Sequence, residues 1–229
     1  MSDGRVWQAV VVANGEFPSA ERLRPMVQSA DRVVAADGGA NWLAAQGLRA
    51  DLLVGDLDSA TPAAVAALEA AGCRVQRHPA HKDETDLELA LCAAAEWRPV
   101  RITIIGAGGG RVDHALANIL LLALPQLAGI DVRLYDGRSY LALLQALEAP
   151  AETVLSGRPG DLLSLIPLGG DAVGVTTTAL EYPLRGETLR FGPARGISNV
   201  FLGTAARVQL ERGRLLAIHT PLEELNHGS

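Results

Sequence analysis

The sequence predicts an α/β protein: a parallel-sheet, Rossmann-like nucleotide domain over residues 1–137, then an all-β sandwich domain over 138–229. Three observations predict it. The first half alternates short apolar runs with helix-length segments, the arrangement that builds a parallel sheet covered on both faces. After Asp136-Gly137 the alternation stops, and short apolar strands follow, separated by glycines and prolines with no helix between them. At 229 residues, 48% of them hydrophobic, the chain is long enough to bury one large core or two small ones.

Taken in order, Gln8 to Val12 reads as a strand, and Ser19 to Ser29 as a helix shortened or kinked by Pro25. Arg32 to Ala36 is a second strand. Asn41 to Gln46 is helical and stops at Gly47. Leu52-Leu53-Val54 ends a buried strand, and Thr61-Pro62 opens a helix that runs to Gly72. Arg74 to Gln76 is strand-like, Thr85 to Glu96 a helix, Arg101 to Ile105 a strand, Val112 to Leu122 a helix and Asp131 to Tyr135 a strand. Beyond Gly137, strands are expected over 141–144, 153–155, 162–166, 173–178, 188–191, 206–210 and 215–219.

The net charge of −6 argues against a nucleic-acid surface, which requires clustered Lys and Arg. No apolar run approaches membrane-spanning length; the longest, around Ile119 to Leu124, stops at Pro125. The stretch from Val6 to Ala13 reads as a first strand, since it lacks a small-residue cleavage site. Cys73 and Cys92 fit no zinc or disulfide framework, so a reduced, cytoplasmic protein is expected.

Chemistry-bearing residues gather after strand ends in the first half. Asp37-Gly38-Gly39 follows the second strand, and Gly55-Asp56-Leu57-Asp58-Ser59 follows the third. Lys82-Asp83-Glu84-Thr85-Asp86 precedes a helix, and Gly106-Ala107-Gly108-Gly109-Gly110-Arg111 follows the strand ending at Ile105. In a parallel sheet these positions share one edge, where such sheets keep their ligands. In an extended segment Asp56 and Asp58, two residues apart, point to the same side. Each cluster also has a structural explanation: Thr85 with Glu88 makes a capping box, and Gly38-Gly39 serves a turn.

The glycine loop matches neither the Walker pattern nor the dinucleotide fingerprint, yet a glycine loop opening a helix presents N–H groups to phosphate. His114 shares a helical face with Arg111 and Asn118. Carboxylates beside a triphosphate repel it unless a cation intervenes, and Mg²⁺ commonly bridges carboxylates to phosphates. Asp56, Asp58 and Asp86, with the glycine loop, Lys82 and Arg111, therefore form one coherent Mg–nucleotide site. His78 and His81 match no zinc spacing and read as a solvated loop; Trp42 and Trp97 read as packing residues.

The ordered motifs resemble a known series. Ala36-Asp37-Gly38-Gly39-Ala40-Asn41, Gly55 to Ser59, Lys82 to Asp86 and Gly109-Gly110-Arg111-Val112-Asp113-His114 are similar to those of the thiamine pyrophosphokinase family. Thr176-Thr177-Thr178, Glu181-Tyr182-Pro183-Leu184 and Arg195-Gly196-Ile197-Ser198-Asn199 continue the resemblance through the second half.

The family implies transfer of pyrophosphate from ATP to the hydroxyl of thiamine, giving thiamine diphosphate and AMP, by a homodimer with sites at the subunit interface. Carried over, Asp56, Asp58 and Asp86 would hold Mg²⁺ and the phosphates, with Asp37 and Asp83 nearby. Lys82, Arg111 and Asp113 would orient the triphosphate, with Gly38, Thr85, Gly109 and His114 completing the ATP-binding set. Tyr182, Ser198 and Asn199 would line the thiamine pocket. The chain departs from the family where Tyr182 replaces a tryptophan and Val200 an acidic residue. The alternatives are a pyrophosphokinase acting on another alcohol, such as a hydroxymethylpterin, and a non-catalytic nucleotide-binding regulator.

Overall fold

A computed structural model describes residues 7–225, and the chain divides into two compact units, Met1–Gly137 and Arg138–Ser229. The first unit holds strands β1 (Gln8–Val12), β2 (Arg32–Ala36), β3 (Leu52–Gly55), β4 (Arg74–Arg77), β5 (Arg101–Ile105) and β6 (Asp131–Tyr135). They lie in the order β6-β5-β1-β2-β3-β4, every neighbouring pair parallel. The central strands are buried along nearly their whole length, as both faces of a parallel sheet must be. β4, exposed and bearing Arg74 and Arg77, closes the edge with charge.

Helices α1 (Ala20–Ser29), α2 (Gly39–Ala45), α3 (Pro62–Ala70), α4 (Asp86–Glu96) and α5 (Val112–Leu120) connect the strands. α1 carries Pro25 and still runs ten residues, burying Leu23 and Val27. α2 starts two residues earlier than expected: a Cβ at Gly39 would collide with the Val12 carbonyl, so glycine lets the helix begin against β1. Thr61 and Thr85 cap α3 and α4, accepting from Ala64 N and Glu88 N at 3.2 Å each. α5 ends at Leu120, and a 3₁₀ turn takes over through Ala123 before Pro125. Val6 lies outside the described residues. Among those described, no helix is long and apolar enough to cross a membrane.

The second unit is antiparallel β. Its strands are β7 (Tyr140–Ala146), β8 (Ala151–Ser156), β9 (Leu162–Pro167), β10 (Ala172–Thr178), β11 (Arg185–Leu189), β12 (Asn199–Val200), β13 (Ala205–Leu210) and β14 (Gly213–Thr220). β12-β9-β14-β7 form one run and β11-β10-β13-β8 a separate sheet. Leu163 and Leu215 of the first run and Val175, Leu189 and Val208 of the second share one buried cluster around Phe201. β11 lies three residues upstream of its expected start, because its register puts Arg185 opposite Thr176 while Phe191 turns outward, 61% exposed. The two-residue β12 and the terminal helix α6 (Leu222–Leu225) have no counterpart in the sequence reading.

A buried carboxylate, Asp161, ties this unit's end together. It accepts from Arg158 N at 2.8 Å and Leu222 N at 2.9 Å, and its Oδ2 lies 2.8 Å from His219 Nε2. Burial works against its charge, but the Leu222 N–H, His219 and the Arg158 N–H together hold it below the ordinary aspartate value of 3.8. A depressed folded pKa adds stability above the unfolded value and loses it as pH falls through the folded one. Melting temperature should therefore fall on acidification below about pH 4. Asp161→Asn should cost about 2 kcal/mol near pH 6, a deficit that shrinks toward pH 3 in a thermal-melt pH series.

Candidate active site

The order of the first sheet reverses direction at β1, which has β2 on one side and β5 on the other. Ligands in open α/β sheets bind outside the carboxyl ends of the strands at such a switch point. There the structure has a cavity of about 780 Å³, lined from every expected direction. The loop after β2 supplies Asp37, that after β3 supplies Asp56, Asp58 and Ser59, that before α4 supplies Lys82 and Thr85, and the first residue of α4 is Asp86. Gly106 to Arg111 face them, with His114 and Asn118 on α5.

The geometry of the acidic pair differs from the extended arrangement expected. Leu57 has φ +66°, so the chain turns between Asp56 and Asp58. Asp56 Oδ1 accepts from Asp58 N at 3.0 Å, and Ser59 Oγ donates to Asp58 Oδ1 at 2.9 Å. Together with Asp37 these residues place three carboxylate oxygens within 4.8 Å of one another. Two full charges at that separation repel by roughly 3.5 kcal/mol at an effective dielectric of about 20. Gly55, at φ +151°, leaves room for the group, since a Cβ there would stand 3.0 Å from Asp37 Cβ and 3.2 Å from Asp86 Oδ1.

Asp37 is the buried member of the trio, 4% exposed, and its backbone is left-handed at φ +44°. Burial pushes its carboxyl above the usual range, with Asp86 and Asp58 adding to the rise and bonds from Ser59 and Gly38 opposing it. Asp37 Oδ1 and Asp86 Oδ1 are buried without a hydrogen-bond donor. The second is faced by Lys82 Nζ, 3.0 Å away as an ion pair but off the hydrogen-bond line. Lys82 also lies 3.7 Å from Asp56 Oδ2 and donates to Pro79 O at 3.2 Å. Burial opposes its charge, but Asp86, Asp56 and Asp37 hold its pKa above the usual value.

An all-oxygen donor set with mutual repulsion and a buried, unpartnered oxygen fits a hard divalent cation. The set the structure gathers is Asp37, Asp56 and Asp58, whereas the sequence grouping was Asp56, Asp58 and Asp86. Asp86 stands beside it, paired with Lys82. Asp83 and Asp113 are exposed and outside the cavity lining, and Gly38, buried and packed on Asn14, is outside it too. Asp113 instead pairs with Arg111 at 2.6 Å, and that guanidinium holds its carboxyl down to about 2.

The glycine loop follows a backbone path that needs its glycines. Gly106, Gly109 and Gly110 all have φ between +60° and +82°, a region that favours glycine. Sequence reasoning missed its brace, the segment after β1. Ala13 N donates to Ile105 O and Glu16 N to Gly108 O, both at 2.9 Å, and Gly110 N donates to Glu16 Oε1 at 3.0 Å. Phe17 packs over Gly106 and stacks on Trp42, centroids 4.6 Å apart. On the other side Asn118 Nδ2 donates to Ala107 O at 2.8 Å. The only signal available in the sequence was the Asn14-Gly15 turn.

In the second unit Tyr182 borders a cavity of about 470 Å³ that Glu181, Leu165, Arg195, Ile197 and Asn199 also line. Tyr182 is 65% exposed, and the Glu181 carboxylate bonded to its hydroxyl holds the phenol above its usual range. Asn199 is buried and its amide holds the Tyr182 backbone: Tyr182 N donates to Oδ1 at 3.0 Å and Nδ2 donates to Tyr182 O at 2.7 Å. Ser198, at φ +58°, lies outside the lining, its N–H donating to Ser164 Oγ at 3.0 Å. Arg195 is ion-paired with Glu187.

Comparisons with known proteins identify relatives of the whole chain. A family model described as the thiamin pyrophosphokinase catalytic domain matches residues 23–134, and one described as the thiamin pyrophosphokinase vitamin B1 binding domain matches residues 150–215. Thiamine pyrophosphokinase of Bacillus subtilis (strain 168) is 33% identical over 166 residues, covering 72% of this chain and 76% of that protein. Thiamine pyrophosphokinase 1 of Oryza sativa subsp. japonica is 26% identical over 228 residues, covering 90% of this chain and 84% of that protein. The crystal structure of the Bacillus subtilis thiamine pyrophosphokinase matches with a TM-score of 0.82 at 28% identity, over 93% of this chain and 99% of that one. With both family models matched in order along its length, the chain belongs to the thiamin pyrophosphokinase family.

Proposed function

We propose that this protein transfers the β,γ-pyrophosphoryl unit of ATP to the hydroxyl of thiamine, forming thiamine diphosphate and AMP. The observation that carries the reading is the switch-point cavity, where an all-oxygen carboxylate cluster faces a braced glycine loop. Residues 1–137 then serve as the ATP- and Mg²⁺-binding catalytic domain. Residues 138–229 serve as a β-sandwich that binds thiamine and dimerises. The same reading, resting on the family, makes the protein a cytoplasmic homodimer in which the thiamine pocket of one subunit serves the nucleotide site of the other.

The residues divide the work by charge. Asp37, Asp56 and Asp58 would hold Mg²⁺, which when bound offsets the charge of the triphosphate and of the transition state. Lys82, already among carboxylates, adds a fixed cation next to that group. The N–H groups of Gly106 to Gly109 and the Arg111 guanidinium donate to phosphate oxygens from the other wall. The thiamine hydroxyl attacks the β-phosphorus, its proton passes to a carboxylate of the cluster, and the bond from the β-phosphorus to the oxygen of AMP breaks. Little covalent work falls to the protein; positioning and electrostatics supply the rate.

Thiamine carries a cationic ring. The exposed face of Tyr182 and the Glu181 carboxylate suit such a cation, while the Arg195 charge is neutralised by Glu187. Tyr182→Ala should raise the thiamine KM about tenfold, roughly 1.4 kcal/mol, with the ATP KM unchanged; Tyr182→Trp should restore it. A shift confined to the ATP KM would remove Tyr182 from the thiamine site. The reading as a whole is tested by incubating the protein with thiamine, ATP and Mg²⁺ and separating the products. Thiamine diphosphate with AMP supports it; no thiamine product overturns it.

A further inference from the structure

We infer that Asn41 is a positioning residue for the metal-holding carboxylates, acting through the loop that carries Asp56 and Asp58. The inference rests on the proposed pyrophosphoryl transfer and adds a residue to its machinery. Asn41 lies in the first turn of α2, the helix that begins directly after Asp37-Gly38, and its own N–H donates to Gly38 O at 3.0 Å. Its side chain crosses to the next strand-end loop. Nδ2 donates to Ser59 O at 2.8 Å, and Oδ1 accepts from Thr61 N at 2.8 Å. One amide thus reads both a carbonyl and an N–H of the same loop, as a neighbouring strand would.

The loop needs that hold. Its carboxylates repel one another and Asp37, and Leu57 keeps a left-handed backbone that a leucine adopts only under constraint. Thr61 is anchored beyond the loop by capping α3, and Ser59 Oγ donates to Asp58 Oδ1. Asn41 fastens the residues in between. Through it, the element that starts after Asp37 is joined to the segment bearing the other two members of the trio. Without the amide, repulsion is free to splay the trio before a cation arrives, and the cost appears as weaker metal binding.

The test uses the full chain and Mn²⁺ as probe, its binding followed by electron paramagnetic resonance in the presence of a non-hydrolysable ATP analogue. The Mg²⁺ dependence of thiamine diphosphate formation is measured in parallel. Asn41→Ala is expected to weaken Mn²⁺ binding about tenfold and to raise the half-saturating Mg²⁺ by a similar factor, with kcat at saturating Mg²⁺ within a few-fold of the parent. Asn41→Asp keeps the acceptor for Thr61 N but turns an oxygen toward Ser59 O, and should weaken Mn²⁺ at least as much. A merely structural role would lower the melting temperature and leave both metal readouts within twofold of the parent, which overturns the inference. Should Asn41→Ala fail to fold, the isosteric Asn41→Asp decides by the same criterion. Mn²⁺ binding requires no thiamine, so a parent chain that binds Mn²⁺ but makes no thiamine diphosphate defeats the functional reading alone.

Discussion

Asp56→Asn is expected to reduce turnover by about 10³-fold or more, close to 4 kcal/mol of barrier, while the fold survives. The substitution is chosen because the amide oxygen can still accept from Asp58 N, so the turn at Leu57 is kept and only the charge is lost. One carboxylate fewer weakens the hold on a divalent cation and leaves Lys82 with Asp86 as its remaining close partner. It also removes part of the repulsion within the trio, so the melting temperature should stay level or rise slightly. Asp86→Asn should also be nearly inactive, because the Lys82 ammonium then loses its 3.0 Å counter-charge. Initial rates of AMP release and thermal melts measure both effects. Activity within tenfold of the parent would remove Asp56 from the metal site.

Gly15→Ala is expected to cost about 10²-fold in kcat/KM for ATP. A Cβ at Gly15 would collide with the carbonyl oxygens of Gly106 and Gly108, both of them backbone atoms that cannot rotate aside. The whole glycine loop must move, and a displacement of about 1 Å at a phosphate site is enough for a loss of that size. Gly110→Ala provides the comparison. Its Cβ meets nothing, so the φ of +60° is its main penalty, of order 1 kcal/mol. Steady-state kinetics with ATP varied should rank Gly15→Ala well below Gly110→Ala; the reverse order would show that the brace after β1 does not set the loop.

The strands of the first unit were legible nearly to the residue, since runs such as Leu52 to Val54 are apolar throughout and end at glycine or aspartate. The threonine caps at Thr61 and Thr85 were legible for the same local reason. What escaped was long-range. Glu16 reaches Gly110 across 94 residues and Asn41 reaches Thr61 across 20, and no spacing rule announces either bond. Asp37 was visible as a strand-end acid, but its burial, which makes it a member of the trio, depends on β3 and Gly55 packing beside it. The turn at Leu57 escaped because leucine carries no local preference for positive φ. In the second unit, irregular pairing around Gly174 and the mostly exposed β11 blur the alternation that marks strand ends. Asn199, expected to face thiamine, lines the cavity beside Tyr182 and also holds the Tyr182 backbone, a bond across 17 residues that no spacing rule announces.

The central claim is attack at the β-phosphorus with transfer of both terminal phosphates as one unit. ATP carrying distinguishable labels on its β and γ phosphates, incubated with this protein, thiamine and Mg²⁺, tests it most directly. The account predicts both labels in the thiamine product in equal amounts, with AMP released. Recovery of the γ label alone in that product, with ADP left behind, would contradict it.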